Sequence, residues 1–169
     1  MPEFQPFLME RMMSKYEQVV EYNLTESGVY PVDLKELLDG DPARIEGLLD
    51  TKLDYAHADG IPELRENIAA LYPGAGPENV LVTVGAIEAN NITIQTLLKR
   101  GDAISIMLPN YMQIWGLAKN HGLNVSEFNL QEDQSWALDG DELQKSVSDS
   151  TKLIAVCNPN NPTGHILTE

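Results

Sequence analysis

Four short apolar runs constrain this chain more than anything else in it. They are Val80-Leu-Val-Thr-Val84, Ala103-Ile-Ser-Ile-Met107, Leu123 to Phe128 and Lys152 to Cys157. Each has the length of a strand and ends at glycine, proline or asparagine. Between them lie stretches with helical spacing: Ala86 to Lys99, residues 112–121 stopped by Gly122, and Asp139 to Val147. Strand–helix alternation of this kind predicts an α/β fold with a mainly parallel sheet, helices on both faces and right-handed crossovers. In such sheets ligands bind at the carboxyl ends of the strands. Those ends are therefore where chemistry should be sought.

The first half reads differently. Phe7, Leu8, Met12, Tyr16, Val19 and Val20 recur at helical spacing within 5–21, with Glu10, Arg11, Lys15 and Glu17 between them. That predicts an amphipathic helix, packed on its own domain or on a partner subunit. Residues 23–31 form a loop by their glycine, proline and hydroxyl content. Helical patches follow at 32–38 and 42–49, with Asp33 and Asp41 as N-caps and Pro42 at a first helical position. Over 54–72 a helix should begin at Asp59 or Gly60, bury Leu64, Ile68 and Leu71, and stop at Pro73-Gly74.

Composition narrows the classes. A net charge of −15 over 169 residues argues against nucleic acid or an anionic membrane as partner. No apolar run approaches a membrane span, and the N-terminus lacks a secretory signal's pattern. The one cysteine, Cys157, allows no intrachain disulfide, which suits the reducing cytoplasm, and it reads as an inert buried thiol. No metal site is expected. His57, His121 and His165 make no zinc spacing, and Glu132, Asp133, Asp139 and Asp141 read as surface and capping residues. Trp115 and Trp136 read as packing residues.

Three strand ends carry unusual residues. Thr83-Val84-Gly85-Ala86-Ile87-Glu88 runs a strand through glycine into a helix, leaving free N–H groups at the positive end of a helix dipole. That is a phosphate cradle, although many α/β turns contain one glycine. Neither the dinucleotide nor the P-loop glycine spacing is present. Leu108-Pro109-Asn110-Tyr111 sets an aromatic ring just past a strand; alone it reads equally as a tyrosine opening a helix. Cys157-Asn-Pro-Asn-Asn-Pro-Thr-Gly164 holds three asparagines on a stiffened turn, where an amide can donate to an oxyanion. A single Asn-Pro pair would be an ordinary polar turn. Taken together, the three ends fit a flat, phosphorylated, phenolic ring.

This set resembles the first part of the large domain of fold-type-I pyridoxal-phosphate enzymes, specifically the class I/II aminotransferases. The resemblance covers about residues 20–169, and Asn158 to Gly164 is its most specific stretch. It implies that Asn161 hydrogen-bonds the ring oxygen of pyridoxal 5'-phosphate, favouring the phenolate. Gly85, Ala86 and Ile87 match the family's phosphate-binding turn, and Tyr111 matches the aromatic that stacks on the pyridine ring. Tyr55, in Tyr-x-x-x-x-Gly-x-x-x-Leu-Arg, matches a tyrosine that reaches the cofactor phosphate of the neighbouring subunit, which implies a homodimer. Ser27 and Gly28 resemble, loosely, the segment that closes over substrate.

The resemblance further implies an N-terminal helical and loop segment, residues 1–50, belonging to a small domain or dimer arm. Residues 51–169 would then be a partial cofactor-binding domain. The family's Schiff-base lysine lies well beyond the asparagine motif, and Lys15, 35, 52, 99, 119, 145 and 152 do not match it. No catalytic residue is therefore assigned. The expectation is an N-terminal piece of an enzyme acting on an amino acid and a 2-oxo acid, inactive alone. A lyase, decarboxylase or cyclase on the same scaffold, a non-catalytic phosphate-ligand module and a generic nucleotide-binding domain remain alternatives.

Overall fold

The structure is a computed structural model that describes residues 4–25 and 27–168. Glu26 of the expected loop and Glu169 lie outside the described residues. The chain divides into two compact units, Met12–Val82 and Met1–Arg11 with Thr83–Glu169.

Helix α1 (Leu8–Tyr16) is shorter than the 5–21 periodicity predicts, and the division between units falls inside it. Helices α2 (Leu34–Leu37) and α3 (Pro42–Leu49) start where their caps require. The carboxylate of Asp33 accepts from Glu36 N–H at 2.8 Å, and that of Asp41 accepts from Ala43 N–H at 2.9 Å. Helix α4 (Pro62–Ala69) begins two or three residues later than expected, with Ile61 at the cap position; of the expected buried face Leu64 and Leu71 are exposed and Ile68 is half-buried, and the helix's buried residue is Ala69 instead.

One side chain organises the end of the Met12–Val82 unit. The guanidinium of Arg65, on α4, pairs with Asp59, donates Nε to Val80 O at 3.0 Å and donates Nη2 to Pro77 O at 2.5 Å. Beside it Gly60 has φ +104, and a Cβ there would overlap the Val82 side chain. Positive φ and close approach together require glycine at that position.

The expected strand at 80–84 is absent. Val80 is extended, with φ −114 and ψ 125, but a strand needs a ladder, and no described residue pairs with this segment in one. Its one backbone bond outside the local turn runs from Val82 N–H to Asp59 O, 3.0 Å.

The second unit holds the sheet. Its elements follow one another as α5 (Gly85–Leu97), β1 (Ala103–Leu108), α6 (Gln113–His121), β2 (Asn124–Asn129), α7 (Gly140–Ser146) and β3 (Thr151–Ala155). All three strands are parallel, in the order β2-β1-β3. The last strand stops at Ala155, two residues before the apolar run does. Strand β1 is central, and Ile104, Ser105, Ile106 and Met107 are all buried, as a strand covered on both faces must be.

Alternation along β1 sorts the core into two layers. Ile104 and Ile106 meet Ile94 of α5, Leu98 just past its end and Ala118 of α6. Met107, from the opposite face, meets Phe128 and Leu130, with Trp136, Leu138 and Leu143 of α7 packed outside them. Ser105 shares that second face, where its hydroxyl pairs with that of Ser146 on α7 at 2.6 Å. A buried hydroxyl is tolerated there because it is satisfied. Asp139 caps α7 by accepting from Asp141 N–H at 2.8 Å.

Candidate active site

The carboxyl ends of the strands carry the polar residues, so the site is built from the turns that leave them. The first turn opens α5. Gly85 has φ +75 with open space around it, so conformation and not crowding calls for glycine. Thr83 Oγ1 donates to Gly85 O at 3.0 Å, and Gly85 N–H donates to Thr83 O at the same distance. The carboxylate of Glu88 accepts from Val84 N–H at 2.5 Å, so one negative group already sits at this helix end. Ala86 and Ile87 stand in the first helical turn, whose amides have no intrahelical acceptor.

The second turn follows β1 and carries Pro109, Asn110 and Tyr111. Gln113, one residue inside α6, is 5% exposed. Its amide nitrogen donates to Ile87 O at 3.0 Å, and its oxygen accepts from Asn90 Nδ2 at 2.8 Å. One buried amide thus ties the tyrosine turn to the first turn of α5.

The third turn follows β3. Asn160 is 3% exposed, and its amide nitrogen donates to Pro109 O at 3.0 Å. Its side-chain oxygen accepts from the Thr163 hydroxyl at 2.7 Å and from Thr163 N–H at 3.2 Å. A second buried amide thus ties the asparagine turn to the tyrosine turn. Asn158 is also engaged, accepting from Leu167 N–H at 3.0 Å. Asn161 differs from both. It is exposed, and its side chain takes no hydrogen bond from any described residue. Two asparagines shape the turn, and the side chain of the third is not used in it.

Tyr111 is half-buried. Its hydroxyl donates to Glu10 Oε1 at 2.6 Å, and the Phe7 ring meets it in a T-shaped contact with centroids 5.2 Å apart. Burial, then the hydrogen bond to Glu10 and its negative charge, push the Tyr111 hydroxyl up to about 12. The ring therefore stays a neutral phenol through the physiological range.

The family model for aminotransferase class I and II matches residues 20–169. The chain belongs to the class I and II aminotransferase family. It is 32% identical over 166 residues to the aspartate aminotransferase of Pyrococcus horikoshii, covering 95% of this chain and 41% of that protein. It is 32% identical over 120 residues to a probable aspartate aminotransferase of Methanocaldococcus jannaschii, covering 68% of this chain and 32% of that one. Among solved structures, a PLP-dependent aminotransferase from Streptococcus suis superposes with a TM-score of 0.87 at 29% identity, over 95% of this chain and 44% of that chain. The chain therefore spans roughly a third to under half the length of these relatives. Fold-type-I architecture and family membership, with the pyridoxal phosphate that the family implies, accord with the reading of the residues.

Within this aminotransferase-family chain, the sheet unit joins the turns bearing Gly85-Ala86-Ile87, Tyr111 and Asn161 into one rim. Tyr55, Ser27 and Gly28 lie in the Met12–Val82 unit, and all three are exposed. Cys157 is half-buried, where the sequence reading expects a buried thiol, because the strand stops at Ala155. Its Sγ lies 3.3 Å from Pro159 O and accepts from Asn161 N–H at 3.4 Å, so it is part of the asparagine turn.

Reading the sequence missed Gln113, Asn160 and Glu10. Gln113 had one signal: an amide on a helix face where the amphipathic stripe would place an apolar group. Asn160 had none that separates it from its neighbours. Glu10 lies 101 residues from Tyr111 and had none either. A cavity of about 400 Å³ lies between residues 4–9 and the start of α6 and reaches Ile87 and Gln113. Its lining carries no charged side chain, and Gly85, Tyr111 and Asn161 are not part of it. It is not suited to hold a phosphate.

Proposed function

We propose that this chain forms the cofactor-holding part of a pyridoxal-phosphate-dependent aminotransferase, passing an amino group between an amino acid and a 2-oxo acid. The observation that carries this reading is the pair of buried amides, Gln113 and Asn160. They fasten a helix N-terminus, an aromatic ring and an unengaged amide into one edge.

The donor set fits pyridoxal phosphate. First-turn amides of Ala86 and Ile87 suit a phosphate. The Asn161 side chain can donate to a ring oxygen without bringing charge, and Tyr111 offers a flat face. Bound there, the cofactor supplies an electron sink for bond breaking at the α-carbon of an amino acid. The chain's own part is to grip, orient and keep the ring's oxygen in its anionic form.

We place the remaining residues by the same reading. Tyr55 serves the phosphate of a second subunit in a homodimer, and its full exposure here is consistent with a partner elsewhere. Ser27 and Gly28 close over substrate. Residues 1–50 form the N-terminal helical and loop segment, and 51–169 the partial cofactor domain. The protein works in the cytoplasm; among the described residues no helix is long and apolar enough to cross a membrane.

Turnover needs an amine at the rim. In the sheet unit Lys99 follows α5, Lys119 and Lys145 lie in the last turns of α6 and α7, and Lys152 is the second residue of β3. In parallel βαβ units those positions lie at the opposite edge from the strand carboxyl ends. We therefore expect the 169-residue chain to bind the cofactor without turning over an amino donor and 2-oxoglutarate.

Titration of the chain with pyridoxal phosphate, beside an equal titration with ATP, tests the reading. Saturable binding of the first alone is expected, with Tyr111→Ala and Asn161→Ala each weakening it roughly tenfold, about 1.4 kcal/mol. Equal binding of ATP, or no loss in either variant, would overturn the site.

A further inference from the structure

The segment ahead of α1 is fastened to the sheet unit by polar bonds as well as apolar contact. Gln5 N–H donates to Asn120 Oδ1 at 2.7 Å, and Asn120 Nδ2 donates back to Gln5 O at 3.1 Å. That reciprocal pair pins the segment along α6. Two residues further on, the Phe7 ring rests against Tyr111. Three residues beyond that, Glu10 Oε1 accepts from the Tyr111 hydroxyl at 2.6 Å, the short distance of a charge-assisted bond.

We propose that Glu10 is a positioning residue for the cofactor ring: by holding the Tyr111 hydroxyl it sets the plane on which the pyridine lies. The proposal rests on the cofactor reading above and adds a residue to it. A tyrosine side chain has two soft torsions, and a ring that rotates is a poor stacking surface. The carboxylate fixes the far end of the ring, and Phe7 blocks it on a second side. Donation to a carboxylate also leaves the phenol richer in π-electron density, which suits an electron-poor pyridine laid against it. Because the hydroxyl is engaged by Glu10, Tyr111 acts through its face and not as a proton donor. Among the described residues the hydrogen bonds of the Gly85 turn run to Thr83 and Glu88 and that of the Glu10 side chain to Tyr111, so a phosphate alone should not sense this residue.

The test uses the 169-residue chain as wild type, Glu10→Gln, Glu10→Ala, Tyr111→Phe and the Glu10→Ala/Tyr111→Phe double variant. Phenol ionisation is followed by ultraviolet absorbance, and the Tyr111 transition is identified by its loss in Tyr111→Phe. That transition should lie near 12 in wild type and move down toward the ordinary tyrosine value in Glu10→Gln, while burial keeps it above that value. Pyridoxal phosphate should bind Glu10→Ala roughly threefold to tenfold more weakly than wild type, with no further loss when the change is added to Tyr111→Phe. Inorganic phosphate should bind wild type and Glu10→Ala alike, which a general loosening of the fold would not leave unchanged. An unmoved Tyr111 transition, or unaltered pyridoxal-phosphate affinity in Glu10→Ala, overturns the role of Glu10 while leaving the cofactor site standing. Failure of wild type to bind pyridoxal phosphate at all overturns the site itself, and this proposal with it.

Discussion

The two units of the chain bury themselves to very different degrees. Of the eleven fully buried hydrophobic residues among the described ones, ten lie in the sheet unit, and only Ala69 belongs to Met12–Val82. In the latter, Leu24, Val29, Tyr30, Leu53 and Tyr55 are each more than nine-tenths exposed. The difference follows from what each unit can build alone. A central parallel strand with helices on both sides closes its own core, because each strand brings two faces and each helix one. Short helices joined by extended segments, with no strand of the unit's own among the described residues, cover little. Met12–Val82 is held chiefly by local devices: two aspartate caps and the Arg65 hub.

Truncation of core side chains should separate the units most. Phe128→Ala or Ile104→Ala is expected to cost about 3–5 kcal/mol in urea unfolding. Leu53→Ala should stay within about 0.5 kcal/mol, as exposed substitutions do. Equal losses would show that the Met12–Val82 unit contributes to the cooperative core after all.

Two neighbouring asparagines give the next contrast. Asn160→Ala strands Pro109 O and Thr163 N–H, and should cost about 1–3 kcal/mol of stability as well as weakening the cofactor. Asn161→Ala should leave the unfolding midpoint unchanged and affect cofactor binding alone. A reversed pattern would mean that the shaping and the binding amide have been exchanged.

Arg65→Ala sharpens the comparison from the other side. Hydrogen exchange should quicken at 59–60 and 77–82 while the amides of β1 stay protected, since the lost bonds are confined to one unit. Exchange rising together in β1 would show that the units open as one.

The last comparison is a pH dependence that shows only in alkali. Tyr111 is raised to about 12 when folded and lies near 10 when unfolded. Between those values the unfolded chain has released the proton that the folded chain keeps, so stability falls as pH rises. Its contribution is whole below pH 10 and is lost as pH passes through about 12. Tyr111→Phe should lack this component, measured by urea titrations across that window.

Much of the architecture was legible in residue order. Apolar period and breaker residues placed β1, β2, α6 and α7 to within a residue or two, because apolar spacing and the residues that end an element are written locally. Asp33, Asp41 and Asp139 marked helix starts for the same reason: a cap acts within three residues. The segment 80–84 misled because a strand's existence depends on a partner that its own residues cannot name. The rim proposed to hold the cofactor was partly legible. Gly85, Tyr111 and Asn161 stand beside recognisable breaks, but their union depends on Gln113 and Asn160.

By itself, the sequence determined the alternation, the polar turns and the family, since spacing and turn chemistry are properties of neighbours along the chain. Only the tertiary structure decided which amide is buried and which is free, and that Glu10 meets a tyrosine 101 residues away. Burial and long-range hydrogen bonds are set by what other elements bring to a point in space, and no local pattern encodes that.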